Sequence, residues 1–237
     1  MTIQGSVIFN FRITFVSRVQ IWHEMTVTVE KERDIGLIGQ VPRSAIVIVL
    51  ALVLSAIVFV ARSLQSPEIS WFPVSETIPN EVGLELVGPI EYTIDARAEQ
   101  PVFFDFSSGS MVAAPSSNGW DLEINRFNIK SNGGAGFTGN GGILDLGAVA
   151  FDSIRLVPNQ GYVQNSRERD FTNPEMDHWY NYSWINHLLT SKPNIFAVRT
   201  ADSRYAFLEI LSYYCAGAQA GCLTFRYFYQ GDGSPLF

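Results

Sequence analysis

Between Trp120 and Gly147 the chain reads WDLEINRFNIKSNGGAGFTGNGGILDLG, and this stretch limits the fold more than any other. Gly133, Gly134, Gly136, Gly139, Gly141 and Gly142 crowd its second half. Each glycine costs roughly 1 kcal/mol in a helix relative to alanine, so this run is not helical. Ahead of it, Trp120, Leu122 and Ile124 alternate with Asp121 and Glu123, which is the period of a strand with one apolar face. The two carboxylates then belong on the opposite, solvated face. The glycines form either a tight exposed connection between strands or a loop whose backbone must approach something closely.

The remaining segments follow the same short period. Glu85–Asp95 and Pro101–Ser107 read as strands joined by a turn at Ala96–Gln100, with a small, polar loop over Ser107–Asn118. Phe151–Val157 reads as a strand stopped by Pro158, and residues 158–178, polar and charged, as a long surface loop. Trp179–Leu189 (WYNYSWINHLL) is expected to form one short helix. Ile195–Thr200, Arg204–Tyr214 and Leu223–Gln230 complete a three-stranded meander whose first turn is Ala201-Asp202-Ser203. The fold class expected is all-β and antiparallel, with one short helix, preceded by a single transmembrane helix. Cys215 and Cys222 flank the last turn, in CAGAQAGC, and are expected to form a disulfide across the hairpin, since two cysteines without further ligands make no metal site.

Mean hydropathy is +0.11, high for a soluble protein, and one segment explains much of it. Ser44–Ala61 (SAIVIVLALVLSAIVFVA) contains no charged residue and, at 1.5 Å per residue, spans about 27 Å, close to a bilayer core. It is longer than the roughly 7–15 apolar residues of a signal peptide, and Arg62-Ser63-Leu64 is a poor cleavage site, so a retained anchor is expected. No cysteine directly follows the run to carry a lipid. Arg12, Arg18, Lys31, Arg33 and Arg43 precede it, whereas Arg62 stands alone behind it until Arg97. Positive charge stays in the cytoplasm, which places the N-terminus inside and the C-terminal domain outside. The expected layout is a cytoplasmic tail over 1–43, an anchor over 44–62, a Pro-rich stalk over 63–80 and a β domain over 81–237. Residues 1–24 lack a helical period, and Met25 is placed to be an alternative start, so they are either an upstream region or a small cytoplasmic strand pair.

Several function classes are disfavoured. Gly134–Gly139 spells G-x-G-x-x-G, but Asn140-Gly141-Gly142 follows where a dinucleotide site needs a helix. No Gly-x-Ser-x-Gly appears, and Asp105, Asp121, Glu123 and Asp145 read as solvated carboxylates, so no enzyme is expected. From residue 62 onward 11 Lys and Arg stand against 19 Asp and Glu, which argues against nucleic acid and against anionic lipid surfaces. Asn181-Tyr182-Ser183 matches a glycosylation acceptor.

Trp120-Asp121-Leu122, the Asn128-Ile129 strand and the Asn-Gly-Gly repeats of the glycine loop resemble the HmuY family of haem-scavenging proteins. The resemblance resumes at Phe151-Asp152-Ser153, Val198–Asp202, Arg204-Tyr205-Ala206 and Ile210–Tyr214, and closes on Thr224–Gln230, covering about residues 118–230. It implies a β domain that binds haem between loops or hairpins through pairs of His or Met. The donors present in the domain are Met111, Met176, His178 and His187. His178 and His187 are the expected iron ligands, with Met176 also a candidate, and no other metal is expected. Trp179, Tyr180, Tyr182 and Trp184 would wall such a site, and Arg167 and Arg169 would meet the propionates. Haem or a related tetrapyrrole is thus the expected cofactor, and the bilayer the expected partner of residues 44–62. The competing reading is an anchored, non-enzymatic module that binds a protein or glycan through the Trp179–Trp184 cluster.

Overall fold

The structure, a computed structural model, describes residues 42–64, 69–79, 83–113, 115–169 and 172–237. The expectations for the leader, including Met25 and every basic residue before Arg43, lie outside the described residues, as do 65–68 and 80 of the expected stalk and 81–82 of the expected β domain. Helix α1 runs Arg43–Leu64, and none of its 22 residues is buried. At 1.5 Å per residue it is about 33 Å long, and it is long and apolar enough to cross a membrane. The mid-helix Ser55 Oγ donates to the Leu52 carbonyl, so its hydroxyl is satisfied within the helix.

The C-terminal part is built from antiparallel strands in three sheets. β1 (Leu86–Asp95), β6 (Gly142–Asp145), β9 (Ile195–Arg199), β10 (Tyr205–Cys215) and β11 (Gln219–Gln230) form a five-stranded sheet of order β1-β11-β10-β9-β6. β2 (Val102–Asp105), β3 (Ser110–Val112), β4 (Leu122–Asn125) and β5 (Asn128–Ser131) form a second sheet of order β3-β2-β4-β5. β7 (Tyr180–Tyr182) and β8 (Leu189–Ser191) make a separate two-stranded ribbon.

The expected meander is present as β9–β10–β11, and Cys215 and Cys222 are disulfide-bonded across its last turn. Strand β9 shows why its sequence is apolar throughout. Phe196 and Val198 face the main core, whereas Ile195 and Ala197 face a second cluster with Phe151, Ile154, Val157 and Phe207. The five-stranded sheet is therefore covered on both faces. The main core lies between the two larger sheets, where Phe104, Phe106, Tyr92, Phe225 and Tyr227 meet at ring separations of 5.0–6.3 Å, mostly edge to face.

The glycine loop takes the second of its two expected forms, a close backbone approach. A Cβ on Gly133 would sit 2.0 Å from the Gly141 carbonyl oxygen, and one on Gly134 would sit 2.6 Å from that of Asn165. Glycine is used here because two backbones occupy the space of a side chain.

Four expectations need correction. Trp179–Leu189 is not a helix but the β7–β8 ribbon, and its helical spacing survives as one turn, His187 N donating to Ser183 O. Phe151–Val157 is not a strand. Phe151–Ser153 forms a 3-10 turn that buries Phe151, and the rest reaches the C-terminus through Val157 N to Pro235 O and Phe237 N to Arg155 O. Loop 107–118 contains β3. The surface loop over 158–178 is partly internal, with Asn165, Asn173 and Met176 buried.

The described part of the stalk, 69–79, is docked rather than free. Ser212 Oγ donates to Ser70 O, Ser75 N to Thr93 O, Thr93 N to Ser75 Oγ and Tyr92 Oη to Glu76 O. It crosses from β10, at Ser70, to the outer edge of β1, at Ser75.

Candidate functional site

The β7–β8 ribbon gathers more of the expected site residues than any other element. Its base is fixed to the core. Trp179 is fully buried, its Nε1–H donating to the Phe127 carbonyl at 2.9 Å, and Lys192 N donates to Trp179 O at 2.9 Å. On the opposite strand Leu189 N donates to Tyr214 Oη at 2.7 Å. Bonds from both strands hold an apolar base.

The tip is built from residues 183–188. Ser183 N donates to Leu188 O at 2.9 Å, and His187 N donates to Ser183 O at 2.8 Å. Asn186 Oδ1 accepts from Leu188 N, an Asx-type bond that helps set the turn, while His187 takes the left-handed region at φ 57°. Tyr182, Trp184, Ile185 and His187 are all exposed, with Trp184 at 83%. Tyr182 packs edge-on against Trp184 at 5.1 Å.

Tyr182 Oη and His187 Nδ1 share a hydrogen bond. With the proton on Nδ1, the ring donates to the phenol oxygen and its Nε2 lone pair is left for another partner. A metal-binding imidazole is commonly oriented in this way.

The other expected donors are placed differently. His178 is exposed, beside the buried Trp179. Met176 is buried at 3% exposure in the main core, so its thioether packs against neighbours where a ligand would need access. Met111 lies half-buried on β3, against the same core. Tyr180 is half-buried, and Trp179 is a core residue rather than a wall of an open site. Arg167 is exposed on the 3-10 turn Arg167–Arg169, and the Arg169 side chain lies outside the described residues. Beside the tip, Ile69, Ser70, Ser183, Asn186 and Leu189 line a groove of about 180 Å³, below the roughly 300–1,000 Å³ of most small-molecule pockets.

None of the four carboxylates expected in solvent is exposed: Asp105, Glu123 and Asp145 are half-buried, and Asp121 is buried, at 4% exposure. Its Oδ2 accepts from Phe106 N at 2.9 Å and its Oδ1 from Ala201 N at 2.8 Å, so one carboxylate joins the end of β2 to the β9–β10 turn. Burial, with the negative charges of Asp105 and Asp202, pushes its pKa up to about 8, against the opposing pull of the two N–H bonds. Glu123 pairs with Lys130 at 2.9 Å on the second sheet. Asp145 accepts from Gly147 N and Asn194 Nδ2. Alternation alone does not reveal the fate of Asp121, because it stands just ahead of β4, where loops from two other strands converge.

A family model described as HmuY protein matches residues 98–227, more than half of the chain. The chain belongs to the HmuY family. That family is known for haem binding, and its members are binding proteins. Among solved structures, one assigned as an HmuY-like haem-binding protein of Bacteroides vulgatus shares 19% identity at a TM-score of 0.49, covering 65% of this chain and 97% of its own. The apo form of an HmuY analogue from Tannerella forsythia shares 17% identity at a TM-score of 0.47, covering 67% of this chain and 99% of its own. Among curated proteins, none matches.

Sequence reasoning chose His178, His187, Tyr182 and Trp184 from this element, and missed Ile185, Asn186 and the pairing of Tyr182 with His187. The available signal was Asn181, Ser183 and Asn186, poor helix formers and good turn formers set among the aromatics.

Proposed function

We propose that this HmuY-family protein is anchored in a membrane by α1, displays its β domain outside the cytoplasm, and captures haem or a related tetrapyrrole along the β7–β8 ribbon, from His178 at its base to His187 at its tip. His187 and His178 are the iron ligands in this reading. The layout is a cytoplasmic tail over 1–43, an anchor over 44–62 and the β domain over 81–237, with no enzymatic step. The observation that carries the site is the exposed His187 imidazole, held at Nδ1 by Tyr182. Haem would supply the iron and a flat apolar surface. The chain supplies two exposed imidazoles and an aromatic residue that fixes one of them. Met176 does not fit as a ligand in this arrangement, because reaching haem would take it out of the core.

The experiment is an absorbance titration of the full chain with ferric haem in lipid nanodiscs, with the His178→Ala/His187→Ala variant alongside to measure partition into lipid. A saturable Soret band at one haem per chain, lost in the variant, is expected. A broad signal that does not saturate and is equal in both proteins would overturn haem capture. It would leave the second reading, a non-enzymatic module whose partner is a protein or glycan, which the 83% exposure of Trp184 favours.

A further inference from the structure

The most exposed large apolar side chain of the β domain, Trp184, lies where the chain carries no charge. Residues 181–191, the ribbon with its tip, contain no Asp, Glu, Lys or Arg, and neither do residues 69–75 of the docked strap. Trp184 is 83% exposed and Ile185 46% on the first, and Trp71 is 51% and Val74 46% on the second. The strap meets the tip at its start, where Ile69 and Ser70 line the same groove as Ser183 and Asn186, whereas Trp71 and Val74 lie farther along, beside Arg97 and the Cys215–Cys222 turn. The chain from residue 62 onward is acidic, so the tip at Trp184 and Ile185, in a stretch without charge, stands apart from it.

We propose that this rim of tip and strap is a lipid-contact surface, with Trp184 and Ile185 seated in the headgroup region of a zwitterionic bilayer and Trp71, on the strap that follows α1, meeting the same bilayer less deeply. The inference rests on the reading of α1 as a membrane span. The apolar helix ends at Leu64 and the docked strap begins at Ile69, and only residues 65–68 separate them in sequence. Five peptide steps reach at most about 18 Å whatever their conformation. The strap is hydrogen-bonded to the domain at Ser70, so the tether is short and leaves the domain beside the tip. A bilayer is therefore within reach of this rim. Tryptophan and isoleucine without nearby charge suit the interface, where an amphipathic ring gains by partial burial. Zwitterionic lipid is specified because the acidic domain disfavours an anionic surface.

Two variants of the full chain test this, Trp184→Phe and Trp71→Phe, each compared with the parent in phosphatidylcholine vesicles with and without brominated acyl chains. The Trp184 component, the parent emission minus that of Trp184→Phe, is expected to be quenched about two-fold or more by brominated lipid and little by aqueous acrylamide. Trp71 is expected to show the same pattern to a smaller degree. Strong acrylamide quenching of Trp184 with none from brominated lipid would place the tip in water, overturning the proposal and leaving a protein or glycan as its occupant. Carbonate extraction of the same vesicles reports on the span independently. Release of the chain would overturn the spanning reading and this proposal with it, whereas retention with a water-facing Trp184 overturns this proposal alone. The Soret titration reads neither quantity, so failure of haem capture remains a separate result.

Discussion

Two hairpins of the β domain, each rich in aromatic residues, treat them in opposite ways. In β10–β11 the strands run 11 and 12 residues, and Phe207, Phe225, Tyr227 and Tyr229 are buried almost completely. In β7–β8 the strands run three residues each, and Tyr182 and Trp184 remain exposed. The difference is one of reach. A long ladder within a five-stranded sheet presents two faces, and each meets a layer that covers it. A three-residue ribbon has no such layer at its tip and would be marginal by itself. It persists because its base is fastened through Trp179 and Leu189, which leaves the tip free to meet something outside the fold.

The largest effect that would sharpen this contrast is a pair of truncations. Phe225→Ala removes a ring that touches Tyr92, Phe104 and Tyr227, and should cost about 3–5 kcal/mol of stability. Ile185→Ala removes an exposed aliphatic group at the ribbon tip and should change stability by less than about 0.5 kcal/mol. Urea unfolding of both variants, followed by far-UV circular dichroism, measures the two costs. Equal losses would break the comparison, because they would mean that the tip is packed as tightly as the core.

The same contrast explains what was legible in the sequence. The meander and its disulfide could be read because β9 to β11 are long, turn-bounded and covered, so local pattern and tertiary environment agree. The helix expected at Trp179–Leu189 failed because apolar residues at helical spacing were serving two ends of a ribbon. Trp179 and Leu189 anchor it, and Trp184 and Ile185 lie at the tip. Phe151 marks a second limit. Its apolar run reads as a strand, yet its ring is used at a 3-10 turn to cover the outer face of the main sheet, against Phe207 and Phe228. Within the candidate site, residue types were legible, but their pairing across the turn was not, since the His187–Tyr182 bond depends on a left-handed residue at position 187.

A second, smaller effect lies at the junction between the sheets, where Asp121 belongs to the covered region although its spacing places it outside. Its folded pKa, about 8, lies above the ordinary carboxylate value of 3.8, so the folded state holds a proton that the unfolded chain releases. The stability it contributes is full below about pH 4 and is lost as pH rises through about 8, with a slope of at most about 1.4 kcal/mol per pH unit for one proton. Asp121→Asn keeps the shape and removes the titration. The parent's melting temperature should fall between pH 5 and pH 8 more steeply than the variant's. The variant should also be less stable overall, since an amide NH₂ would face either Phe106 N–H or Ala201 N–H. Parallel pH profiles would mean that the carboxylate is ionised throughout, with its two backbone donors outweighing burial and the neighbouring charges.

The smallest effect on stability is expected at the tip, where the largest effect on binding is also expected. Tyr182→Phe keeps the ring that packs against Trp184 and removes only the hydroxyl shared with His187. Both side chains are exposed, so water replaces the lost bond and stability should change by less than about 0.5 kcal/mol. If Tyr182 orients the imidazole, its loss should weaken haem binding about 10-fold or more, since the partners that hold a ligating histidine commonly matter to that degree. A Soret titration of parent and variant, paired with their melting temperatures, separates the two quantities. Weaker binding with unchanged melting would show that the tip is organised for a ligand rather than for the fold. Equal affinity would remove Tyr182 from the site and leave His187 a surface residue of a ribbon whose exposed aromatics serve another partner.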